Sequence, residues 1–348
     1  MFKRILVPLD GSTRAERAIT VAAHIAHSTG GSVVLVQAVT IPFAYGPYIG
    51  TTSSAAETMD AGLDDTNKYL DSLASSELLE NIETDTKALY GSAAPTVIST
   101  AQAYNADLIV MTSRGNTGMK RWILGSVAQK IARHSPTPVL VLHEGGPLPV
   151  VRHRDVRPFR VLVPLDGSAL AKIALEPAAL LVAALAAPYQ GGLHLMRVVK
   201  SPTPEELRAA KDQESLERLK ENKLHKAKTY LNSIAGQLSE GPLATLNLSI
   251  TWSVVFDDDV AHAIIRMAEN GEDAGGAGVF GRCDLIAIAT HGRGGLQHWV
   301  LGSITERVLG ATKFPILIVR PESIEFNRPS NGSGKGAAEI QVKSTLYQ

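Results

Sequence analysis

Arg4-Ile5-Leu6-Val7-Pro8-Leu9-Asp10-Gly11-Ser12 returns 156 residues later as Arg160-Val161-Leu162-Val163-Pro164-Leu165-Asp166-Gly167-Ser168. Three further blocks return at an offset of 177. Ala106-Asp107-Leu108-Ile109-Val110 becomes Cys283-Asp284-Leu285-Ile286-Ala287, and Trp122-Ile123-Leu124-Gly125-Ser126 becomes Trp299-Val300-Leu301-Gly302-Ser303. Pro138-Val139-Leu140-Val141-Leu142 becomes Pro315-Ile316-Leu317-Ile318-Val319. The second copy therefore holds 21 extra residues between its first strand and its glycine loop. Some must lie in the Gly-rich stretch 270–282 and others in the charged helical stretch after Ser201. A period this long means duplicated domains and not a solenoid.

Each copy alternates strand and helix. In the first, Ile5–Leu9 is a continuous apolar run that ends in Asp-Gly-Ser. Thr13 to Ser28 places Ala18, Val21, Ala22 and Ile25 at helical spacing, and Thr13 with Glu16 can form a capping box. Gly30-Gly31 ends that helix. The pattern then predicts a strand at Val33–Val39, a helix over 63–79, a strand at 84–89, a helix over 95–104, a strand at Leu108–Thr112, a helix over 127–133 and a last strand at Val139–Leu142. Strands apolar on both faces, separated by helices, predict a parallel sheet covered on both sides. The fold class expected is α/β: two tandem doubly wound, Rossmann-like domains, each a five-stranded parallel sheet with helices on both faces. The boundaries expected are 1–146 for the first domain, 147–158 for a linker, 159–325 for the second domain and 326–348 for a flexible tail. The linker's Arg152, His153, Arg154 and Arg157 read as solvated charges.

Composition narrows the function. The 348 residues contain 34 Lys+Arg and 34 Asp+Glu, so the basic excess of a nucleic-acid-binding protein is missing. The single cysteine, Cys283, excludes an internal disulfide framework and a Cys-rich zinc site. The apolar start breaks at Pro8 and Asp10, too early for a signal peptide. The run 178–187 lies between Pro177 and Pro188, short of the roughly 20 residues that span a bilayer, and is expected to be a buried helix. These readings predict a cytoplasmic protein without nucleic-acid or membrane partners. Gly332-Ser333-Gly334-Lys335-Gly336 lacks the spacing of a phosphate loop and a preceding strand.

In a doubly wound sheet, ligands bind beyond the carboxyl ends of the strands, where strand order reverses. Asp10 and Asp166 end the first strand of each copy, where a carboxylate can accept hydrogen bonds from a ligand's amino or hydroxyl groups. Asp-Gly-Ser is also ordinary turn and cap chemistry. The loop after the fourth strand reads Thr112-Ser113-Arg114-Gly115-Asn116-Thr117-Gly118 in one copy and Ala289-Thr290-His291-Gly292-Arg293-Gly294-Gly295 in the other. Nine residues after Gly115 comes Gly125-Ser126, and nine after Gly292 comes Gly302-Ser303; each Gly-Ser opens a helix. Glycine lets backbone approach an anion, and a helix N-terminus offers free N–H groups with a favourable dipole. The serine can cap the helix or bond a phosphate oxygen, and Arg114, Arg293 and His291 add donors.

With Asp ending strand one and G-(nine residues)-G-S opening a helix after strand four, both halves, roughly 2–142 and 160–320, resemble the universal stress protein family. The resemblance implies a five-stranded parallel α/β fold, and in the family's ATP-binding branch the motif G-x-x-G-(nine)-G-[S/T]. It implies ATP as ligand, with or without Mg2+, acting in stress response or signalling. The binding set it implies is Pro8, Asp10, Ala38, Thr112, Arg114, Gly115, Gly125, Ser126 and Val127. In the second half the set is Pro164, Asp166, Val198, Thr290, His291, Gly292, Gly302, Ser303 and Ile304. The aspartates would lie near the adenosine, and Ala38 and Val198 would offer backbone to adenine. The glycines and serines would cradle ribose and phosphates. The motif's first glycine is here Thr112 or Ala289, whose Cβ narrows that approach. The resemblance also implies that Val139–Leu142 and Ile316–Val319 pair across an internal two-fold, an intramolecular pseudo-dimer, with a homodimer of the whole chain open as well. Phe256-Asp257 stands where the first half has Tyr90-Gly91, so the sites need not be equivalent.

Other features read as structural. His24 and His27 have no partner ligand at helical spacing, so no metal is expected. Asp257-Asp258-Asp259 precedes a helical pattern and complements its dipole. Cys283 is expected to be a buried small hydrophobe, and Trp122 and Trp299 to be packing residues. No Ser-His-Asp order or paired acids suggest a nucleophile, so no catalytic residues are expected. An adenylating ATP pyrophosphatase would carry S-G-G-x-D-S after strand one, which Leu9-Asp10-Gly11-Ser12 does not match. A nucleotide-free scaffold is the remaining alternative, supported by Thr112 and Ala289.

Overall fold

In the computed structural model, the described residues are 2–40, 53–113, 124–150, 157–210, 212–271, 281–290 and 301–321, with backbone only for 53–60. In chain order, the first half comprises β1 (Arg4–Leu9), α1 (Thr13–Thr29), β2 (Ser32–Val39), α2 (Ser53–Ala74), β3 (Thr84–Tyr90), α3 (Ala93–Ala103), β4 (Leu108–Thr112), α4 (Ser126–His134) and β5 (Val139–Leu142). The second half comprises β6 (Arg160–Pro164), α5 (Ala169–Lys172), α6 (Leu175–Ala186), β7 (Gly192–Val199), α7 (Pro204–Ala209), α8 (Gln213–Glu240), β8 (Ser249–Phe256), α9 (Val260–Asn270), β9 (Leu285–Ala289), α10 (Ser303–Ala311) and β10 (Ile316–Val319).

The strands form one sheet in the order β3-β2-β1-β4-β5-β10-β9-β6-β7-β8. Within each half the pairs are parallel; β5 and β10 pair antiparallel, with Leu140 opposite Leu317. The two five-stranded sheets are thus joined into one at their last strands, the pairing that the resemblance implied. All eight residues of β5 and β10 are buried. Each large aliphatic side chain buried there contributes about 1.5–3 kcal/mol, and pairing removes an edge that each half would otherwise expose.

Period-two alternation sorts the two layers. Ile5, Val7 and Leu9 of β1, with Val161, Val163 and Leu165 after them in β6 and its end, pack beneath α1, α2, α6 and α8. Leu6 and Leu162 face the opposite layer, built from α3, α4, α9 and α10. The apolar helix α6 is packed into the first layer, as expected of a buried core helix. The halves also meet through both helix layers. His24 Nε2 lies 3.1 Å from the Leu185 carbonyl, and Arg133 pairs with Glu306 at 2.8 Å. Burial holds the His24 pKa below its ordinary value.

An aspartate before each fourth strand ties it to the start of the first. Asp107 accepts from the Lys3 N–H at 2.6 Å and the Arg4 N–H at 3.2 Å. Asp284 accepts from the Arg160 N–H at 2.9 Å and pairs with Arg157. Arg157, read as a solvated linker charge, is thus an anchor of the second half; 151–156 lie outside the described residues. So does the tail from 322 onward.

Two local expectations need correction. The cap of α1 is Ser12, not Thr13: the Ser12 side chain accepts from the Ala15 N–H, leaving Thr13 as the first helical residue. α2 begins at Ser53 and stops at Ala74, followed by a 3-10 turn at Glu77–Leu79. Its early turns carry alanine, methionine and glutamate, whose helix propensity does not need an apolar stripe. Cys283, just before β9, is buried as expected, and burial pushes its thiol up to about 12.

His194 of β7 is 2% exposed, with Nδ1 2.9 Å from Thr251 Oγ1 and Nε2 2.9 Å from Ser253 Oγ on β8. Burial, reinforced by nearby Arg160, lowers its pKa to about 4. The unfolded chain then binds more protons between about pH 6.5 and pH 4, so stability falls as pH falls through that window. Denaturant titrations at pH 7 and pH 5 should differ by about 2 kcal/mol from this group alone. The His194→Gln variant should lose that share of the slope, and an unchanged slope would refute the assignment.

Candidate functional site

The turn after the first strand is built identically in both halves. Asp10 Oδ1 accepts from Ser12 N at 3.1 Å and Ser12 Oγ at 2.6 Å, and Ser12 Oγ accepts from Ala15 N at 3.2 Å. Asp166 Oδ1 accepts from Ser168 N at 2.8 Å and Ser168 Oγ at 2.6 Å, and Ser168 Oγ accepts from Ala171 N at 3.1 Å. Gly11 and Gly167, at φ +78° and +90°, make the reversal that only glycine adopts without strain. The aspartates are thus turn residues through one oxygen while standing at the strand ends. Asp10 is exposed and Asp166 half-buried.

Pro8 and Pro164 explain the opening beside them. β1 pairs with β2 through Leu9, but with β4 only at Ile5 and Leu6. β6 likewise pairs with β9 only at Val161 and Leu162. A proline offers no N–H to a ladder, so a central strand carrying one parts from a neighbour there. The parting falls at the carboxyl end between the first and fourth strands, where strand order reverses.

On the β4 side of this crevice, Ser113 N donates to Leu142 O of β5 at 2.7 Å, and Gly125 N donates to Ser113 O at 2.8 Å. Thr290 N to Val319 O at 2.9 Å and Gly302 N to Thr290 O at 2.8 Å repeat the closure. Each loop therefore returns to the residue from which it left. Gly125 and Gly302 are N-caps in extended backbone with no side-chain cap. Ser126 and Ser303 are the exposed first helical residues, so their hydroxyls are not the caps. Val127 is 36% exposed and Ile304 half-buried. Thr112, Ala289 and Thr290 are buried at or just after the ends of their strands. Arg114, Gly115, His291 and Gly292, with Trp122, Trp299 and Arg293, lie outside the described residues.

On the other side of β1, Ala38 pairs with Leu89, and on β7 Val198 pairs with Val255; both are half-buried near their strand ends. Strand adjacency thus brings Asp10, Ala38 and Gly125 to the ends of three neighbouring strands, and Asp166, Val198 and Gly302 to the other three.

Sequence reasoning missed the layer beneath. Tyr69 of α2 donates to Glu16 Oε1 at 2.9 Å, and burial, then Glu16 and Asp10, push the phenol well above its ordinary pKa. In the second half Lys172 Nζ and Arg197 Cζ lie 5.6 and 5.0 Å from the ring centre of Tyr230. Gln37 Oε1 is buried with no hydrogen-bond partner among the described residues, and its amide nitrogen lies 3.9 Å from where a Gly11 Cβ would stand. A second internal match, Tyr69-Leu70 against Tyr230-Leu231, was the available signal.

The acids at the third-strand end of the second half are engaged in the fold. Asp259 caps α9 by accepting from His262 N at 3.1 Å and pairs with Arg307 at 2.6 Å. The Arg307 hydrogen bond holds Asp259 below the usual carboxylate range.

The model of the universal stress protein family matches residues 1–143 and again 159–320. A universal stress protein of Methanocaldococcus jannaschii is 30% identical over 143 residues, covering 41% of this chain and 82% of that protein. One of Mycobacterium tuberculosis is 24% identical over 239 residues, 67% of each chain. Among solved structures, a universal stress protein from Archaeoglobus fulgidus superposes at a TM-score of 0.60 and 18% identity, over 91% of this chain and 98% of that one.

The Asp–Ser–helix relay has a measurable cost when broken. Ser168→Ala should lower the denaturation midpoint by the equivalent of about 1 kcal/mol, whereas Ser168→Thr keeps both the donor to Asp166 and the acceptor for Ala171 N and most of the stability. Equal stability of the alanine variant and the wild type would refute the relay.

Proposed function

The chain belongs to the universal stress protein family, and from that premise we propose that it binds ATP or a related adenine nucleotide at the strand carboxyl ends of each half, with little or no hydrolysis. Its role is then that of a cytoplasmic stress-response or signalling protein, which acts through nucleotide occupancy and not through turnover.

The observation that carries the reading is the twice-built crevice: an aspartate turn on one side, an uncapped glycine N-terminus on the other, and strands parted by proline between them. The fit to a nucleotide is chemical. The open first turns of α4 and α10 present backbone N–H groups and the positive end of a helix dipole to phosphate oxygens. Ser126 and Ser303 stand exposed beside them as further donors. Asp10, Asp166 and the buried Gln37 Oε1 are acceptors suited to the amino and hydroxyl groups of adenosine. The nucleotide would add the phosphate charge that the helix ends attract.

Calorimetry on nucleotide-stripped full chain with ATP at millimolar concentration, with and without Mg2+, should give a heat of binding. Asn at both aspartates keeps the turn acceptor but removes the charge, and should weaken binding by roughly tenfold or more, the loss expected for a charged hydrogen bond. A wild-type chain that gives no heat with ATP, ADP or AMP overturns the reading and leaves the scaffold alternative that Thr112 and Ala289 favour.

A further inference from the structure

We infer that the two crevices select ligands of opposite electrostatic character: the second half takes the polyanionic nucleotide, and the first takes an adenine ligand with little or no phosphate charge. This inference rests on the nucleotide reading above and specifies the ligand of each site.

The duplication aligns the two sites residue by residue. Glu16 and Lys172 each stand four residues after a cap serine, on the helix that leaves the aspartate turn. Gln37 and Arg197 each precede the residue near the second-strand end, Ala38 or Val198. Tyr69 and Tyr230 each precede a fully buried leucine on the helix above. The tyrosine is the shared centre, but what surrounds it is inverted. In the first half its hydroxyl donates to the Glu16 carboxylate at 2.9 Å. In the second half its ring faces two cations, Lys172 at 5.6 Å and Arg197 at 5.0 Å, a contact in which ring and cations attract.

Glutamate to lysine changes the local charge by two units and glutamine to arginine by one, all in favour of an anion in the second half. Hydrogen-bonding character inverts with the charge. Asp10, Glu16 and Gln37 Oε1, which has no partner among the described residues, make the surroundings of the first aspartate turn rich in acceptors, suited to hydroxyl and amino donors. Lys172 and Arg197 bring only donors, suited to phosphate oxygens.

Among the described residues, the other charges near each turn are engaged in the fold. Arg14 pairs with Glu144 at 3.3 Å and Arg17 donates to the Gly146 carbonyl at 3.1 Å, which hold both cations against the segment after β5. In the second half Asp259 is paired with Arg307, and Asp257 lies 3.8 Å from Arg266, at the edge strand.

The test is calorimetry of the full chain with ATP and, separately, with adenosine, at low and moderate salt. Wild type should bind ATP at two unequal sites, and Lys172→Glu with Arg197→Gln should weaken the tighter one by about tenfold or more while changing adenosine affinity by less than about twofold. Glu16→Lys with Gln37→Arg should strengthen the weaker site for ATP, and added salt should shrink both effects. The unaltered site in each variant reports that the chain is folded. Two equal ATP sites in wild type, or equal losses for ATP and adenosine in the first variant, overturn this inference while the nucleotide reading stands. A wild-type chain that binds neither ligand overturns both.

Discussion

The antiparallel pairing of β5 with β10 is the constraint on which the rest of the molecule depends. Two four-residue strands, buried on both faces, turn two parallel sheets into one and leave only β3 and β8 as edges. Because the join is antiparallel, the carboxyl ends of the first five strands point one way and those of the second five the other. The candidate crevices therefore open at opposite ends of the strands and cannot share a ligand. Strands of four to eight residues rising about 3.3 Å per residue separate them by a distance well beyond a Debye length of roughly 8 Å at physiological salt. Each crevice answers to its own local charges, which matters in a chain whose net charge is zero.

What could be read in the sequence follows from what each signal depends on. The strands Leu108–Thr112 and Val139–Leu142 were placed to the residue because a central strand buried on both faces writes itself as an unbroken apolar run. The cap of α1 was displaced by one residue because Ser12 and Thr13 are equal candidates by residue type. Only Asp10, which fixes the serine hydroxyl, decides between them. The start of α2 was missed because its first turns lack the apolar spacing that marks a helix against a core.

The site divides in the same manner. The aspartate turn and the glycine-serine helix start are local in sequence and recur at fixed spacing, so their pairing at one sheet end could be anticipated. The tyrosine clusters draw on three separate elements in each half, with Glu16 and Tyr69 53 positions apart. No local pattern predicts that contact; the parallel topology makes it. The parting of β1 from β4 was likewise unreadable, although the prolines that produce it stood in plain sight. A proline in a central strand ordinarily counts against the strand, and only the register shows that it ends one ladder and leaves the other intact.

The contrast between the two halves also separates what folding needs from what it permits. The turn, the serine cap and the loop closure repeat with distances that agree within a few tenths of an ångström, because each satisfies backbone groups that would otherwise be buried unpaired. Glu16 and Lys172 carry no such duty: the helix there begins through the serine cap, and either side chain leaves that cap intact. The same backbone thus supports an acceptor-rich crevice in one half and a donor-rich one in the other. A charge that the fold does not require is free to be set by what the crevice binds, and that freedom makes the tyrosine neighbourhood, more than the shared turn, the place where the two halves can differ in function.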